Sequence, residues 1–455
     1  MKTYQELVAA GENERARMDF VSLAVEAHKA SEDYRVARDA QLYYAKRNAT
    51  MSRYQEMFYD VNGRQVVNLS EQYYKLTHGF FRRFVLQQVQ YVLSNGVTFG
   101  DKAKDRLGAD FDARLSALAK KAMVDGVGFG FWNYDHLEVF GLADTRREPG
   151  FAPLYDEENG ALRAGVRFWR VMGANASRYT LYEEDGTTEY IQRDGAEMAV
   201  LAEKRPYIQV TVSSESGGVE SVQGMNYPGF PILPMYANDM RESEIVGIRP
   251  AIDCYDFIKS GMANDVGKAA KIYWTLKNVG GMDDMDLQRF LDRMRVVKAA
   301  VLEDGTEAEA HTLSVPVEAN ERLLDRLRAD LYEDFMLLDT EKALSGNMTA
   351  TAIRLAYQPQ EDKCGDFEFH IRDFIARLLA LLGIEDEPSF RWNRIANQSE
   401  ETQMVMAAAS ELGTELTLKK LPFLTPEEVE QRMKELAAED LARLAAVEDM
   451  TENGA

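Results

Sequence analysis

The chain has 455 residues, 45 % of them hydrophobic, with 75 acidic against 53 basic side chains and a formal net charge of -22. That length permits a large core and suggests about three domains. The acid excess excludes a protein that grips nucleic acid by its phosphates, and suits one that DNA passes without sticking to. Two cysteines, Cys254 and Cys364, are too few for a disulfide framework or a Cys-type zinc site and point to reduced thiols in a cytoplasmic setting. Residues Met1 to Glu6 hold no apolar run of the signal-peptide kind. The most apolar stretch, Phe374 to Ile384, is interrupted by Arg377 and is too short to span a bilayer, so no membrane partner is expected.

Residues 1 to about 40 mix Ala, Glu, Arg and apolar residues at helical spacing and predict an exposed helical arm. A Tyr-rich segment follows (Tyr43, Tyr44, Tyr54, Phe58, Tyr59), then the turn dipeptide Asn62-Gly63. From Leu69 to Leu93 the spacing of Tyr73, Leu76, Phe80, Phe84, Val85, Val89 and Val92 predicts a helix that stops at Asn95-Gly96. Another helix covers 110–124, closed by the run from Asp125 to Gly130. The composition then turns β, with candidate strands at 130–140, 165–171, 178–183, 188–193 and 208–213 and a hairpin signal at Asp185-Gly186. Pro228, Pro231 and Pro234 predict a stiff extended connector leading away from this sheet.

A helix starting near Gly247 carries the one-face stripe Ile248, Ile252, Tyr255, Ile258, Met262 and Val266. Residues 272–316 read as a small α/β module: a strand at 272–276, a Gly280-Gly281 break, a helix from about Asp284 to Met294 and a hairpin around Asp304-Gly305. A second striped helix follows, with Leu324, Leu327, Leu331, Phe335 and Leu338 at three- and four-residue steps. After it come Leu344, Ser345, Gly346, Asn347, Met348 and Thr349, a small polar run that no buried helix needs. Helical composition resumes at Ala350, meets Pro359 where a kink or break is expected, and continues to Leu382 with Phe367, Ile371, Phe374 and Leu378 on one face. The tail from Ser399 is Met-, Ala- and Glu-rich helix, then a capping box at Thr425-Pro426-Glu427-Glu428 opens a last helix toward Val447.

Catalytic signatures are missing from the sequence. It contains no G-x-x-x-x-G-K-[ST] loop, no G-x-S-x-G elbow and no H-E-x-x-H pair. The run Gly126-Val127-Gly128-Phe129-Gly130 lacks the spacing of a dinucleotide loop and reads as a structural turn. Histidines 28, 78, 136, 311 and 370 stand far apart, as surface or satisfied core residues. Asp283, Asp284 and Asp286 sit where a helix starts, and acids there favour the helix dipole without any metal. No catalytic, cofactor-binding or metal-binding residue is assigned, and no enzyme activity is expected.

The order of these segments resembles the portal proteins of tailed double-stranded DNA bacteriophages, in the family typical of siphophages and prophages of Gram-positive bacteria. The likeness rests on Tyr43-Tyr44 with Arg53 and the helix ending in YVLSNGVTF, and on AMVDGVGFGFW followed by APLYD and GVRFWRV. It rests also on GIRPAIDCYDFIKSGMAND leading into IYWTLKNVGG, and on LSGNMTATAIRLAYQP followed by FRWNRIANQSEETQ. Two features depart from the family pattern: Leu276-Lys277-Asn278 stands where Leu-Lys-Gly is common, and Ala396-Asn397 replaces a usual proline.

The resemblance implies a mostly helical α+β fold, divided into wing (1–247), stem helix (248–271), clip (272–316), stem helix (317–338), tunnel loop (339–350), wing again (351–395) and crown (396–455). It implies a homo-oligomeric ring of about twelve subunits around a channel at one capsid vertex, assembled in the host cytoplasm and retained in the virion. The implied partners are double-stranded DNA passing without sequence specificity, the terminase large subunit, the head–tail connector, and the major capsid and scaffolding proteins. The tunnel loop would present Leu344, Ser345, Gly346, Asn347, Met348 and Thr349 to DNA. Ile252, Tyr255, Ile258, Met262, Leu324, Leu327, Leu331 and Phe335 would pack stem against stem. Asp283, Asp284, Asp286, Arg289 and Arg293 would lie in the clip that docks motor and connector. The stem acids Glu318, Glu321, Asp325, Asp330, Glu333 and Asp334 would face the lumen or a neighbouring subunit. Two rival readings are a phage enzyme without a legible active site and a cytoplasmic α+β scaffolding protein without a channel.

Overall fold

The computed structural model describes residues 2–59, 63–67, 73–213, 219–269, 273–277, 284–296, 307–311, 316–341, 350–393, 398–421, 424 and 428–439. It is 52 % helical and 21 % strand, so the expected mixture with helix prevailing holds. The chain divides into two compact units: Met1–Asn347 with Ala356–Arg391, and Met348–Leu355 with Trp392–Ala455.

The first unit begins with α1 (Tyr4–Ala10), α2 (Glu14–Ala30) and α3 (Glu32–Tyr44). Each starts on a side-chain cap: Thr3 with Glu6 in a capping box, Asn13 accepting from the Ala16 amide, and Ser31 from that of Tyr34. They do not form the exposed arm expected of them. Leu7, Phe20, Val21, Ala24, Val25, Tyr34 and Ala37 are buried in the same core as Phe129, Phe151 and Phe168 of the sheet. Their apolar spacing gives a stripe, and a stripe requires a covering surface; here the sheet supplies it.

After α4 (Ala49–Arg53) and a small antiparallel pair, β1 (Met57–Tyr59) with β2 (Gln65–Val67), helix α5 covers Phe80–Leu93. It starts eleven positions later than the spacing from Leu69 predicts, because residues 73–79 form neither helix nor strand. Then come β3 (Val97–Thr98), α6 (Asp101–Leu107) and α7 (Phe111–Asp125). Gly126 ends α7 at φ 88°, a left-handed conformation that favours glycine. Strand β4 (Val127–Asn133) follows at once, three residues earlier than expected. Gly128 and Gly130 lie inside it: a Cβ on Gly128 would sit 2.8 Å from Leu118, and one on Gly130 2.5 Å from the Phe374 ring. The glycine run is therefore a helix stop plus a strand that two helices approach closely, and only its first member is the turn read from the sequence.

β4 belongs to an eight-stranded sheet with β5 (His136–Gly141), β6 (Gly150–Tyr155), β7 (Leu162–Arg170), β8 (Ala176–Glu183), β9 (Gly186–Arg193), β10 (Met198–Arg205) and β13 (Ile232–Tyr236). The order is β10-β9-β8-β7-β6-β5-β4-β13. Neighbours are antiparallel except β5 and β6, which meet in parallel through Gly141 and Gly150. The Asp185-Gly186 signal marks the tight β8–β9 hairpin, with Glu183 opposite Gly186. The Pro-rich connector does not leave the sheet. Its residues 232–236 form edge strand β13, with Pro234 opposite Phe129, and an edge tolerates a residue that cannot donate to a ladder. β11 (Ile208–Ser213) and β12 (Val219–Met225) pair with each other outside this sheet.

Next come α8 (Arg249–Ala269), β14 (Tyr273–Lys277), α9 (Asp284–Val296), β15 (Glu307–His311) and α10 (Val317–Asp334). β15 pairs antiparallel with β14 across α9, and the turn expected near Asp304-Gly305 lies outside the described residues. α11 (Ala350–Leu382) continues through Pro359 instead of breaking there, and buries Cys364, Phe367, Ile371, Phe374, Ile375 and Leu378. β16 (Ser389–Phe390) pairs with β3. In the second unit, α12 (Gln398–Ala407) and α13 (Ala409–Lys420) precede a helical stretch at 428–439. The expected capping box at Thr425 and the end near Val447 lie outside the described residues.

Candidate functional site

The root of α8 is held by polar side chains as well as by Ile248 and Ile252 of its apolar stripe. Asp256, Ser260 and Asn264, four residues apart and therefore on one face, are buried there. Along them lies the extended segment 74–78. Asn264 accepts from the Tyr74 amide and donates to its carbonyl, each at 2.9 Å. Ser260 Oγ accepts from the Leu76 amide at 2.9 Å, and Asp256 Oδ1 accepts from the His78 amide at 3.0 Å with the His78 ring Nδ1 at 2.7 Å. The second Asp256 oxygen accepts from Asn48 Nδ2 at 2.8 Å. One turn earlier Asp253 accepts from the Tyr43 hydroxyl at 2.5 Å and from Thr50 Oγ1 at 2.7 Å. Burial and the Asp253 carboxylate both raise the pKa of Tyr43, keeping it a donor.

α10 lies beside α8 and ends in a second anchored element. Phe335 is buried, stacked at 4.8 Å on Phe84 of α5, with Lys363 Nζ 3.5 Å from the centre of its ring. Met336 turns the backbone at φ 58°. The Leu338 amide donates to Gln360 Oε1 at 3.3 Å and its carbonyl accepts from Gln87 Nε2 at 3.2 Å. Arg328 grips Asp339 bidentately, both bonds 3.0 Å, and meets Glu341 at 2.5 Å. Burial opposes the charge on Arg328, but its hydrogen bonds to Asp339 and Glu341 outweigh that and raise its pKa. Residues 335–341 are thus fixed on α5, α10 and α11.

The stem residues expected from the sequence separate into two groups. Ile252, Leu324, Leu331 and Phe335 are buried within the chain itself, whereas Tyr255, Ile258, Met262 and Leu327 are half-exposed. Leu344, Ser345, Gly346, Asn347, Met348 and Thr349 lie outside the described residues, as does Asp283. Asp284 opens α9; Arg289 lies 3.5 Å from Asp286, and Arg293 is exposed. Among the described residues no group of three or more His, Cys, Asp or Glu is placed to hold a metal ion. No described helix is long and apolar enough to cross a membrane. His28 is a core histidine, its Nε2 2.9 Å from the Leu142 carbonyl oxygen and its pKa lowered by burial. Cys364 is buried, its thiol pushed up to about 12 by desolvation, and Cys254 is exposed and unpaired. Sequence reasoning missed Asp256, Ser260 and Asn264, whose partners lie some 180 positions away, and Gln360 and the Arg328–Asp339 clasp, whose partners lie across the end of α10.

Residues 24–442 match the family described as "Phage portal protein, SPP1 Gp6-like". The chain belongs to this family. Among curated proteins, it is 24 % identical over 418 residues to the portal protein of Bacillus phage SPP1, covering 83 % of this chain and 79 % of that one. It is 22 % identical over 411 residues to the portal protein of Clostridium phage phiCD119, covering 82 % and 87 %. Among solved structures, a chain from the virion of a native gene transfer agent particle aligns with a TM-score of 0.43 at 14 % identity, covering 77 % of this chain and 88 % of that chain. The ladder on α8 and the clasp on α10 both lie inside the portal-family match.

Proposed function

We propose that the chain assembles into a ring of about twelve copies around a channel at one vertex of a phage capsid, through which double-stranded DNA is packaged and later ejected. Membership of the portal family across 24–442 carries this reading. Residues 1–247 with 351–395 form the wing, 248–271 and 317–338 the stem, 272–316 the clip, 339–350 the tunnel loop and 396–455 the crown. The clip docks the terminase large subunit, which supplies ATP hydrolysis, and afterwards the head–tail connector. Wing and crown meet the capsid and scaffolding proteins, and assembly takes place in the host cytoplasm.

The anchoring of residues 335–341 supports the loop assignment. A loop that adjusts around a moving duplex needs a fixed root, and Arg328, Gln360 and Lys363 provide one. Tyr255, Ile258, Met262 and Leu327 keep exposed surface for a neighbouring stem. The acid excess keeps the bore from adhering to phosphates, a repulsion that salt screens. Mass photometry and negative-stain images of the purified protein test this: rings of about a dozen subunits are expected, and a monomer or dimer under all conditions overturns the reading. Deleting Ser345 to Thr349 should then lower packaging into procapsids, and unchanged packaging would reduce the loop to a connector.

A further inference from the structure

On a chain with 22 excess negative charges, one concavity is cationic. A cavity of about 790 Å³ opens between the residues after α3, the first turns of α5, and helices α8 and α10. Lys46, Arg82, Arg83 and Arg328 line it, with Tyr255 and Gln90. Arg328 is engaged by Asp339 and Glu341, and His78 at the rim is engaged by Asp256. The other three cations are exposed and have no carboxylate partner among the described residues. Arg82 lies over the Tyr44 ring at 5.8 Å, and Arg83 donates to the Tyr332 hydroxyl at 2.9 Å. Three uncompensated cations facing one hollow repel each other, and an anionic occupant would relieve that.

The complement lies on the same chain. The exposed surface of α10 carries Glu318, Glu321 and Asp325 in its first half and Glu333 and Asp334 at its end, with Asp330 half-exposed next to the latter pair. Its two arginines there are already taken: Arg322 by Glu318 and Arg326 by Asp330. Glu321, Glu333 and Asp334 remain without a cationic partner among the described residues. A hollow and a face that differ and are oppositely charged fit a head-to-tail contact, and such a contact forms a ring where its rotation closes.

We infer that the hollow bounded by Lys46, Arg82 and Arg83 receives the acidic outer face of α10 from a second copy of this chain. The inference rests on the ring reading above and adds which surfaces meet. It also divides the stem acids: those at the end of α10 serve the neighbouring copy and are not charges of the bore.

The test is Lys46→Glu with Arg82→Glu, both exposed, followed by circular dichroism, melting temperature and mass photometry across a concentration series. Folded protein whose half-assembly concentration rises about tenfold or more is expected. Adding Glu333→Arg with Asp334→Arg to the same chain should restore assembly. Should the double reversal fail to fold, Lys46→Gln and Arg82→Gln singly give the same readout with smaller shifts. Rings of the reversed variant that form like the wild type overturn the inference and leave the ring reading standing, as does a failure of the charge swap to restore assembly. Absence of rings in the wild type overturns the ring reading itself. Rings that persist in the variant but lose salt-sensitive retention of linear duplex DNA would assign the hollow to phosphates, and that too overturns the inference.

Discussion

The eight-stranded sheet and the root of α8 are held together by different physics. In the sheet, α2, α7 and α11 press apolar side chains onto strands whose glycines admit close contact, and the fit depends on shape. At the root of α8, buried carboxylate, hydroxyl and amide groups meet the backbone of an extended segment, and the fit depends on matching donors to acceptors. Apolar packing tolerates exchange of one hydrocarbon for another of equal volume. A buried polar match tolerates no such exchange, because a partner left without its hydrogen bond carries the desolvation cost alone.

Paired substitutions separate the two regions. Phe374→Ala, in the fully buried contact with Gly130, should cost about 3–5 kcal/mol, and Asp256→Ala, which strips His78 and Asn48 of their acceptor, about the same. The comparison sharpens on the rescue: Phe374→Leu should recover most of the loss, whereas Asp256→Leu should recover none and Asp256→Asn a part. Chemical denaturation of the five variants checks this, and equal recovery by both leucines would break the distinction.

A second effect concerns Asp125, which lies between the two regimes. It is fully buried at the end of α7, where it accepts from Gln41 Nε2 at 3.0 Å and from the Leu142 amide at 3.0 Å. Desolvation raises its pKa to about 7, against the opposing pull of Lys121. The folded value lies above the unfolded one, so the stabilisation is complete below about pH 4 and is lost as pH rises through about 7. The unfolding free energy from urea titration should therefore fall between pH 4 and pH 8 by roughly 2–4 kcal/mol relative to Asp125→Asn, whose curve should be flatter. Parallel curves would show that the carboxylate stays ionised.

The smaller effects lie along the extended segment. Asn264→Ala removes both hydrogen bonds to Tyr74 and should cost about 1–3 kcal/mol, and Ser260→Ala about 0.5–1.5 kcal/mol. Hydrogen exchange of the Tyr74 and Leu76 amides reads the two separately. Protection unchanged in both variants would show that the segment is held by something other than α8.

Much of this architecture is legible in the sequence because helices declare themselves by spacing. α7, α8, α10 and the end of α11 follow their apolar positions, and the β8–β9 hairpin follows Asp185-Gly186. The failures share a cause, which is that a partner distant in the chain decides the outcome. Tyr73, Leu76 and Phe80 have helical spacing, yet Tyr74, Leu76 and His78 give their amides to Asn264, Ser260 and Asp256, some 180 positions later, and no helix forms before Phe80. The prolines near Pro234 suggest a departure from the sheet, because nothing local reveals that an edge is vacant beside β4. Of the candidate site, the stem stripe was visible, while the clasp of Arg328 on Asp339 was not: eleven residues and a helix end separate the two. Portal-family membership was readable from the order of segments, which survives where individual motifs do not.

The meeting of α8 with residues 74–78 is a match between two rulers of unequal pitch. Four residues of helix advance about 6.0 Å and two of an extended chain about 6.6 Å, so each step drifts by about 0.6 Å. Three marks coincide within the tolerance of a hydrogen bond; where a fourth would fall one turn earlier, the helix carries Ile252. The pair behaves as a vernier with one reading, and that reading fixes where α5 begins along α8. A residue inserted between His78 and Phe80 would leave the scale intact and displace the aromatic contacts of Phe80 and Phe84 with Tyr255 and Phe335.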